Sequence, residues 1–156
     1  MKKIFLILLL FVSLVAYSQE TIKLMFYNLL NFNNYTSYCT SENNSHENKA
    51  GYLSTIVSNQ QPDILAVCEV GTNVSASYTL NYILGNSLNV GGETKWLAAS
   101  PTGSYLINGL FYDKNKFQLI LNCPNHQFHP KLPNDYLLLI SYQQLFLYFD
   151  HLSCRW

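Results

Sequence analysis

The run QPDILAVCEV, residues 61–70, constrains the fold more than any other segment of this sequence. Nearly every side chain from Ile64 to Val70 is apolar, which predicts a short strand buried on both faces of a sheet. Glu69 is the exception, and it comes near the end of the run. A buried carboxylate without a partner is costly, so such a group is usually neutralised, paired or bound to a metal. The first question about this sequence is therefore what holds Glu69.

The composition fits one packed domain and gives no sign of a broad basic surface. The chain has 156 residues, of which 49% are hydrophobic and 12% charged, and its formal net charge is zero. A neutral chain of this length predicts a single domain without a strong positive field for nucleic acid. A nuclease that binds its substrate through local contacts and a metal remains compatible with this balance.

Residues 1–18 have the pattern of a secretory signal peptide. Lys2 and Lys3 precede the apolar run Ile4–Ala16, which is short for a membrane span of ~20 residues. Small residues at Ala16 and Ser18 fit a signal peptidase site. We predict cleavage after Ser18 and a secreted or periplasmic protein without stable membrane association, whose domain covers residues 19–156. An uncleaved anchor is the alternative.

An exported chain can form disulfides, and this one has four cysteines. They are Cys39, Cys68, Cys123 and Cys154. Four cysteines allow three complete pairings, and the sequence does not select one of them. Cys68 lies inside the apolar run, where the simplest expectation is a small buried thiol.

The periodicity of the remaining segments predicts strands that alternate with helices and then a β-meander. Predicted helices are Lys49–Gln60, which Pro62 ends, and Ser75–Leu88; Asn33–Asn48 is predicted as a polar loop. Predicted strands are Thr21–Phe32, Asp63–Val70, Trp96–Ser100, Tyr105–Tyr112 and Phe117–Leu121. The fold class is therefore an α/β (α+β) layered arrangement in which helices cover a sheet.

Three segments together resemble the endonuclease/exonuclease/phosphatase superfamily, which has the deoxyribonuclease-I-like fold. They are MFYNLLNF at residues 25–32, the helix followed by QPDILAVCEV, and NGLFYDKNKF at residues 108–117. The resemblance covers about Ile22–Leu121. It implies the N-terminal half of a four-layer sandwich, and hence an incomplete domain.

This resemblance implies a metal site at Glu69 and Asn28. Glu69 matches the principal metal ligand of the family, and Asn28 matches a residue beside the metal or phosphate. Mg²⁺ binds hard oxygen ligands and often takes only one or two protein carboxylates, so a sparse site suits it. The implied cofactor is Mg²⁺ or Mn²⁺, and the implied partner is a phosphodiester substrate, nucleic acid included.

A further family position is implied for His151. The segment LYFDHL, residues 147–152, resembles a later family strand whose histidine contacts the scissile phosphate. Many members have asparagine and threonine before that histidine, whereas this chain has Phe149 and Asp150. The alternative for His151 is an ordinary buried or terminal histidine. Asp63, at the start of its strand, is expected to bond local backbone rather than to act in catalysis.

The later motifs of the family do not occur in this sequence. There is no Gly-Asp-x-Asn and no Ser-Asp-His, the segments that position the nucleophilic water and supply the acid/base pair in the family. The predicted function is a metal-dependent phosphoester hydrolase, a nuclease or phosphodiesterase, in a truncated and inactive form. A non-catalytic secreted remnant or binding module is the alternative. The sequence does not select a substrate among DNA, RNA, phospholipid and inositol phosphate, nor an oligomeric state.

Overall fold

The central feature of the fold is a strand covered on both sides, in a mixed four-stranded sheet. The computed structural model describes residues 21–103, 105–123, 135–140 and 146–149, with side-chain burial up to residue 119. The elements in chain order are β1 (Leu24–Phe32), α1 (His46–Gln60), β2 (Ile64–Gly71), α2 (Ala76–Ile83), a π-helical turn (Leu84–Leu88), a 3-10 turn (Val90–Gly92), β3 (Trp96–Ala98), β4 (Leu106–Asp113), β5 (Phe117–Cys123), β6 (Asp135–Ile140) and β7 (Phe146–Phe149).

The described strands form two sheets. The first has the order β1-β2-β4-β3, in which β1 and β2 are parallel and the other pairs are antiparallel. The second is antiparallel with the order β5-β6-β7. The predicted meander is therefore divided, because the turn at residues 114–116 carries the chain from one sheet to the other. Asp113 stabilises that turn, since its Oδ1 accepts a hydrogen bond of 2.9 Å from the backbone of Asn115.

Each helix begins at a serine that caps it. The Ser45 hydroxyl accepts the backbone N–H of Asn48 before α1, and the Ser75 hydroxyl accepts the backbone N–H of Tyr78 before α2. Helix α1 ends at Gln60, and its C-cap Gln61 is left-handed and is followed by proline. Helix α1 thus starts three residues before the predicted Lys49, because the serine cap lies within the polar segment that was predicted as loop. In the second predicted helix, the α-helical part ends at Ile83 and the π-helical turn follows.

Strand β2 separates two apolar clusters. On one face Leu65 and Val67 pack with Leu53 of α1 and Leu80 of α2. On the other face Ile64 and Ala66 belong to a second cluster with residues of β4 and β5: Leu110, Tyr112 and Phe117. This second cluster joins the two sheets. The predicted burial of this strand on both faces is confirmed, and so is its exception, because Glu69 is the one residue of β2 that is not fully buried.

Cys68 takes part in a disulfide, so the predicted buried thiol at this position is wrong. By strand alternation Cys68 shares the face of Ala66, which β5 covers, and a cysteine there can be reached from outside its own sheet. Cys39 carries a free thiol.

The predicted signal segment, residues 1–18, lies outside the described residues. Within the described ranges, no helix has the length and apolarity needed to cross a membrane.

Gly71 gives a first test of this packing. A Cβ atom at Gly71 would lie 2.5 Å from the backbone oxygen of Asn33 and 2.5 Å from the Cβ of Asn34. We expect Gly71→Ala to lower the free energy of unfolding by about 1–3 kcal/mol, because the loop after β1 must move. Urea denaturation measures this change. Gly51→Ala is the matched control: nothing lies within 4 Å of a Cβ there, and alanine in a helix should add about 0.5–1 kcal/mol. Equal effects of the two substitutions would contradict the close approach at Gly71.

Candidate active site

The two predicted metal-site residues lie side by side at one end of the first sheet. Because β1 and β2 are parallel, their carboxyl ends meet at the same edge, and Asn28 is paired with Cys68 in the register. The Asn28 carboxamide donates a hydrogen bond of 2.9 Å from Nδ2 to Oε1 of Glu69. The carboxylate that ends the apolar strand is thus held by the neighbouring strand.

The backbone around this pair is irregular on both strands. The β1–β2 register shifts between Asn28 and Phe32, and the β2–β4 register shifts between Val67 and Val70. Glu69 itself has a left-handed φ of 58°. Non-glycine residues rarely adopt this conformation, which costs roughly 1–2 kcal/mol for a residue such as leucine.

Most of the left-handed non-glycine residues described in the structure gather at this edge. They are Leu30, Asn31, Asn33 and Glu69, with φ values of 47°, 58°, 52° and 58°; the fifth, Gln61, ends α1. Asparagine tolerates the left-handed region better than other residues, but Leu30 and Glu69 have no such advantage. Strain of this kind persists only where surrounding contacts hold it, and it is concentrated at functional sites.

A network of asparagine side chains holds the segment after β1. The Asn31 carboxamide oxygen accepts a hydrogen bond of 2.9 Å from Asn34, and its backbone oxygen accepts one of 2.9 Å from Asn44. Asn33 donates to the Thr79 hydroxyl on α2 at 3.1 Å. The bond from Asn44 satisfies a backbone oxygen of this irregular segment, and the other two bonds connect its side chains to one another and to α2.

Lys49 of α1 reaches the same edge from the helix side. Its ammonium donates hydrogen bonds to the backbone oxygens of Leu29, at 3.0 Å, and of Leu30. Burial lowers the pKa of Lys49 from its usual range, while the nearby charges of Cys39 and Glu69 act in the opposite direction. The sequence pattern predicts Lys49 only as the first residue of a helix and gives no sign of this contact.

An aromatic cluster packs behind the end of β1. The His46 ring lies 6.1 Å from the Phe32 ring and 4.8 Å from the Tyr82 ring, both in edge-on contact. The Tyr35 hydroxyl is hydrogen-bonded to Nδ1 of His46. Burial raises the pKa of Tyr82. This cluster fixes the first turn of α1, and therefore Lys49, against β1.

Asp63, the other strand residue considered in the sequence, lies away from this edge. Asp63 is at the opposite end of β2, where it accepts the backbone N–H of Lys23 at 2.9 Å and pairs with the Lys116 ammonium at 2.9 Å. The predicted contact with backbone therefore exists. Its partner is not a local residue but Lys23, which directly precedes β1. His151 lies outside the described residues, and its implied phosphate contact remains a prediction.

The oxygen ligands at this edge suit a hard divalent cation. Glu69 supplies a carboxylate and Asn28 a carboxamide, and sites of this type often have one or two protein carboxylates with water and substrate completing the shell. No group of three or more His, Cys, Asp or Glu residues that could hold a metal occurs in the described part of the chain. The carboxylate and carboxamide oxygens of Glu69 and Asn28 are the donor types that a sparse magnesium-type site uses.

The fold of this chain is similar to that of solved structures of two Bacteroides proteins. The chain matches the mannosyl-6-phosphatase of Bacteroides thetaiotaomicron with a TM-score of 0.55 and 11% sequence identity, covering 86% of this chain and 54% of that one. It matches an endonuclease/exonuclease/phosphatase of Bacteroides vulgatus with a TM-score of 0.51 and 16% identity, covering 85% and 54%. The chain thus spans about half the length of these two proteins.

These likenesses establish the fold. The chain has the mixed-sheet architecture of the endonuclease/exonuclease/phosphatase superfamily, which confirms the predicted resemblance and the predicted fold class. No protein-family model matches the sequence, and no curated protein matches it either.

The Asn28–Glu69 contact gives a second test. In Asn28→Asp the donor that faces Oε1 is replaced by a second carboxylate, so two like charges meet where a hydrogen bond of 2.9 Å was. We expect a loss of about 1–3 kcal/mol in the free energy of unfolding at pH 7, measured by urea denaturation. The loss should shrink as the pH falls towards 4, since a protonated carboxyl can again donate.

Asn48→Asp adds the same charge at an exposed position in the first turn of α1, where negative charge is tolerated. It should leave stability within about 0.5 kcal/mol of the parent. A pH-independent loss in Asn28→Asp, or an equal loss in Asn48→Asp, would contradict the contact.

Proposed function

We propose that this chain carries the metal-binding half of a phosphoester hydrolase site. The observation that supports this proposal is the carboxylate of Glu69, held by Asn28 at the carboxyl ends of two parallel strands within a strained backbone. In open sheets with parallel strands, ligand sites form at this edge. Core packing alone does not require the strained backbone around Glu69.

Glu69 is the residue that would hold the cation. Asn28 directs one carboxylate oxygen through its hydrogen bond, and its own oxygen is fixed by the backbone N–H of Leu30 at 2.7 Å. A bound Mg²⁺ or Mn²⁺ would neutralise charge on the phosphoryl oxygens of the substrate. The contacts of Asn28 suit a residue that orients Glu69 and lies beside the phosphate.

The proposed substrate class is a phosphate ester. One structural neighbour is named a mannosyl-6-phosphatase and the other an endonuclease/exonuclease/phosphatase, so both names describe the cleavage of phosphate esters. Within the superfamily fold, specificity depends on loops and not on the sheets. The proposal therefore includes phosphomonoesters and phosphodiesters, nucleic acid among them, for a chain exported from the cytoplasm.

Asn28 and Glu69 account for cation binding and not for the activation of water. In the family, two later motifs position and activate the water, and neither Gly-Asp-x-Asn nor Ser-Asp-His occurs in this sequence. We therefore propose cation binding as the property of this chain, with hydrolysis depending on groups outside this edge. A non-catalytic binding module is the second candidate, and the same experiment separates the two.

The direct test measures Mn²⁺ binding by electron paramagnetic resonance. We expect the purified protein to bind Mn²⁺ weakly, because one carboxylate supplies most of the charge, and we expect Glu69→Gln to reduce the affinity at least tenfold. Glu93→Gln is the matched control, since Glu93 is exposed and lies outside this edge. Equal Mn²⁺ binding by the parent and Glu69→Gln would overturn the proposed site.

Turnover is measured on the same samples with a chromogenic phosphodiester and a phosphomonoester. Hydrolysis that disappears with EDTA and in Glu69→Gln supports a hydrolase in this chain itself. Glu69-dependent Mn²⁺ binding without hydrolysis supports the binding-module candidate.

A further inference from the structure

Lys49 is connected to Glu69 through an uninterrupted line of hydrogen bonds. The ammonium donates to the backbone oxygen of Leu29 at 3.0 Å, and the N–H of Leu30 donates to Oδ1 of Asn28 at 2.7 Å. The Asn28 carboxamide then donates from Nδ2 to Oε1 of Glu69 at 2.9 Å. We name this line, from the Lys49 ammonium to the Glu69 carboxylate, the amide relay.

One peptide unit forms the middle of the amide relay. The oxygen of Leu29 and the N–H of Leu30 belong to the same planar peptide group, so a donor at its oxygen polarises its N–H. The Asn28 carboxamide repeats this arrangement with a side-chain amide. Both amide dipoles are therefore aligned between a cation at one end and an anion at the other, which is the arrangement that strengthens each bond in the line.

We propose that Lys49 is a positioning residue, which acts through the amide relay to fix the orientation of the Glu69 carboxylate. The strained backbone supports this role. Leu30 has a φ of 47°, and the Lys49 ammonium also donates to its backbone oxygen, so the cation holds the turn that aims the Leu30 N–H at Asn28. The inference rests on the proposed function in one respect, namely that Glu69 binds the cation.

Two roles for Lys49 give opposite expectations for metal affinity. If Lys49 acted only through its charge, removing it would remove repulsion of the cation, and Mn²⁺ would bind more tightly. If Lys49 positions Glu69, its removal frees the carboxylate, and Mn²⁺ binds more weakly. Loss of a partner that orients a metal ligand reduces affinity by roughly 10–100-fold, which exceeds the effect of one charge in a solvent-accessible site.

The experiment compares Lys49→Met, Lys49→Arg and Lys23→Met in the whole protein. Lys23→Met is the matched control, because the Lys23 ammonium also donates to a backbone oxygen, that of Gln60 at 3.1 Å, at the other end of β1. Two quantities are measured in each variant. The first is the nuclear magnetic resonance signal of the Asn28 side-chain NH₂ group in metal-free protein, assigned through Asn28→Leu, and the second is the Mn²⁺ dissociation constant.

In Lys49→Met we expect the Asn28 signal to move towards the position of a solvated carboxamide and the Mn²⁺ dissociation constant to rise roughly 10–100-fold. In Lys49→Arg, which keeps a cationic donor, and in Lys23→Met, both quantities should stay near the parent values. An unchanged Asn28 signal in Lys49→Met, or tighter Mn²⁺ binding, would overturn the positioning role. The same Asn28 shift in Lys23→Met would also overturn it.

The parent protein supplies a test that does not depend on the folding of Lys49→Met. A through-bond coupling across the hydrogen bond between the Leu30 amide nitrogen and the Asn28 carboxamide carbon is expected, and its absence would overturn the amide relay. The metal-free signal also separates the two proposals. An Asn28 signal that responds to Lys49→Met supports the relay even if Glu69→Gln leaves Mn²⁺ binding unchanged, a result that overturns the proposed function alone.

Discussion

The burial of β2 on both faces is the constraint on which the site depends. Helices cover one face and residues of β4 and β5 pack with the other, so a charged side chain on this strand can meet solvent only where the strand ends. Glu69 is at that point, and the local change to a left-handed conformation takes it out of the regular alternation of the strand. Its hydrogen-bonding partner comes from the parallel neighbour, Asn28, because the two strands end at the same edge.

Much of this arrangement follows from local sequence patterns. The apolar run predicts β2, Pro62 predicts the end of the preceding helix, and the parallel connection through that helix brings Asn28 to the edge where Glu69 lies. Local patterns did not reveal the start of α1, because Ser45 is one of many polar residues in its segment. They also did not reveal the division of the meander, since the turn after Asp113 serves equally well for a hairpin or for a change of sheet.

The contacts made by Lys49 and Cys68 could not be predicted from the sequence for a different reason. Lys49 lies at the helix start, and its role depends on how the aromatic cluster around His46 sets that first turn against β1. Cys68 lies in an apolar run like any core residue, and nothing in that local pattern marks it as disulfide-bonded. Both results come from tertiary packing, which no local period encodes.

The left-handed conformation of Leu30 has a consequence for how this protein would change under selection. Leu30 is 62% exposed and contributes little to the core, so its side chain does not compensate for its unfavourable backbone conformation. Glycine or asparagine at this position would relieve that conformation at small cost in packing. Under selection for heat resistance alone, Leu30 would be expected to be replaced early. Under selection for a precisely held Glu69 carboxylate, the backbone conformation at residue 30 would be kept, while the identity of its side chain would be less constrained.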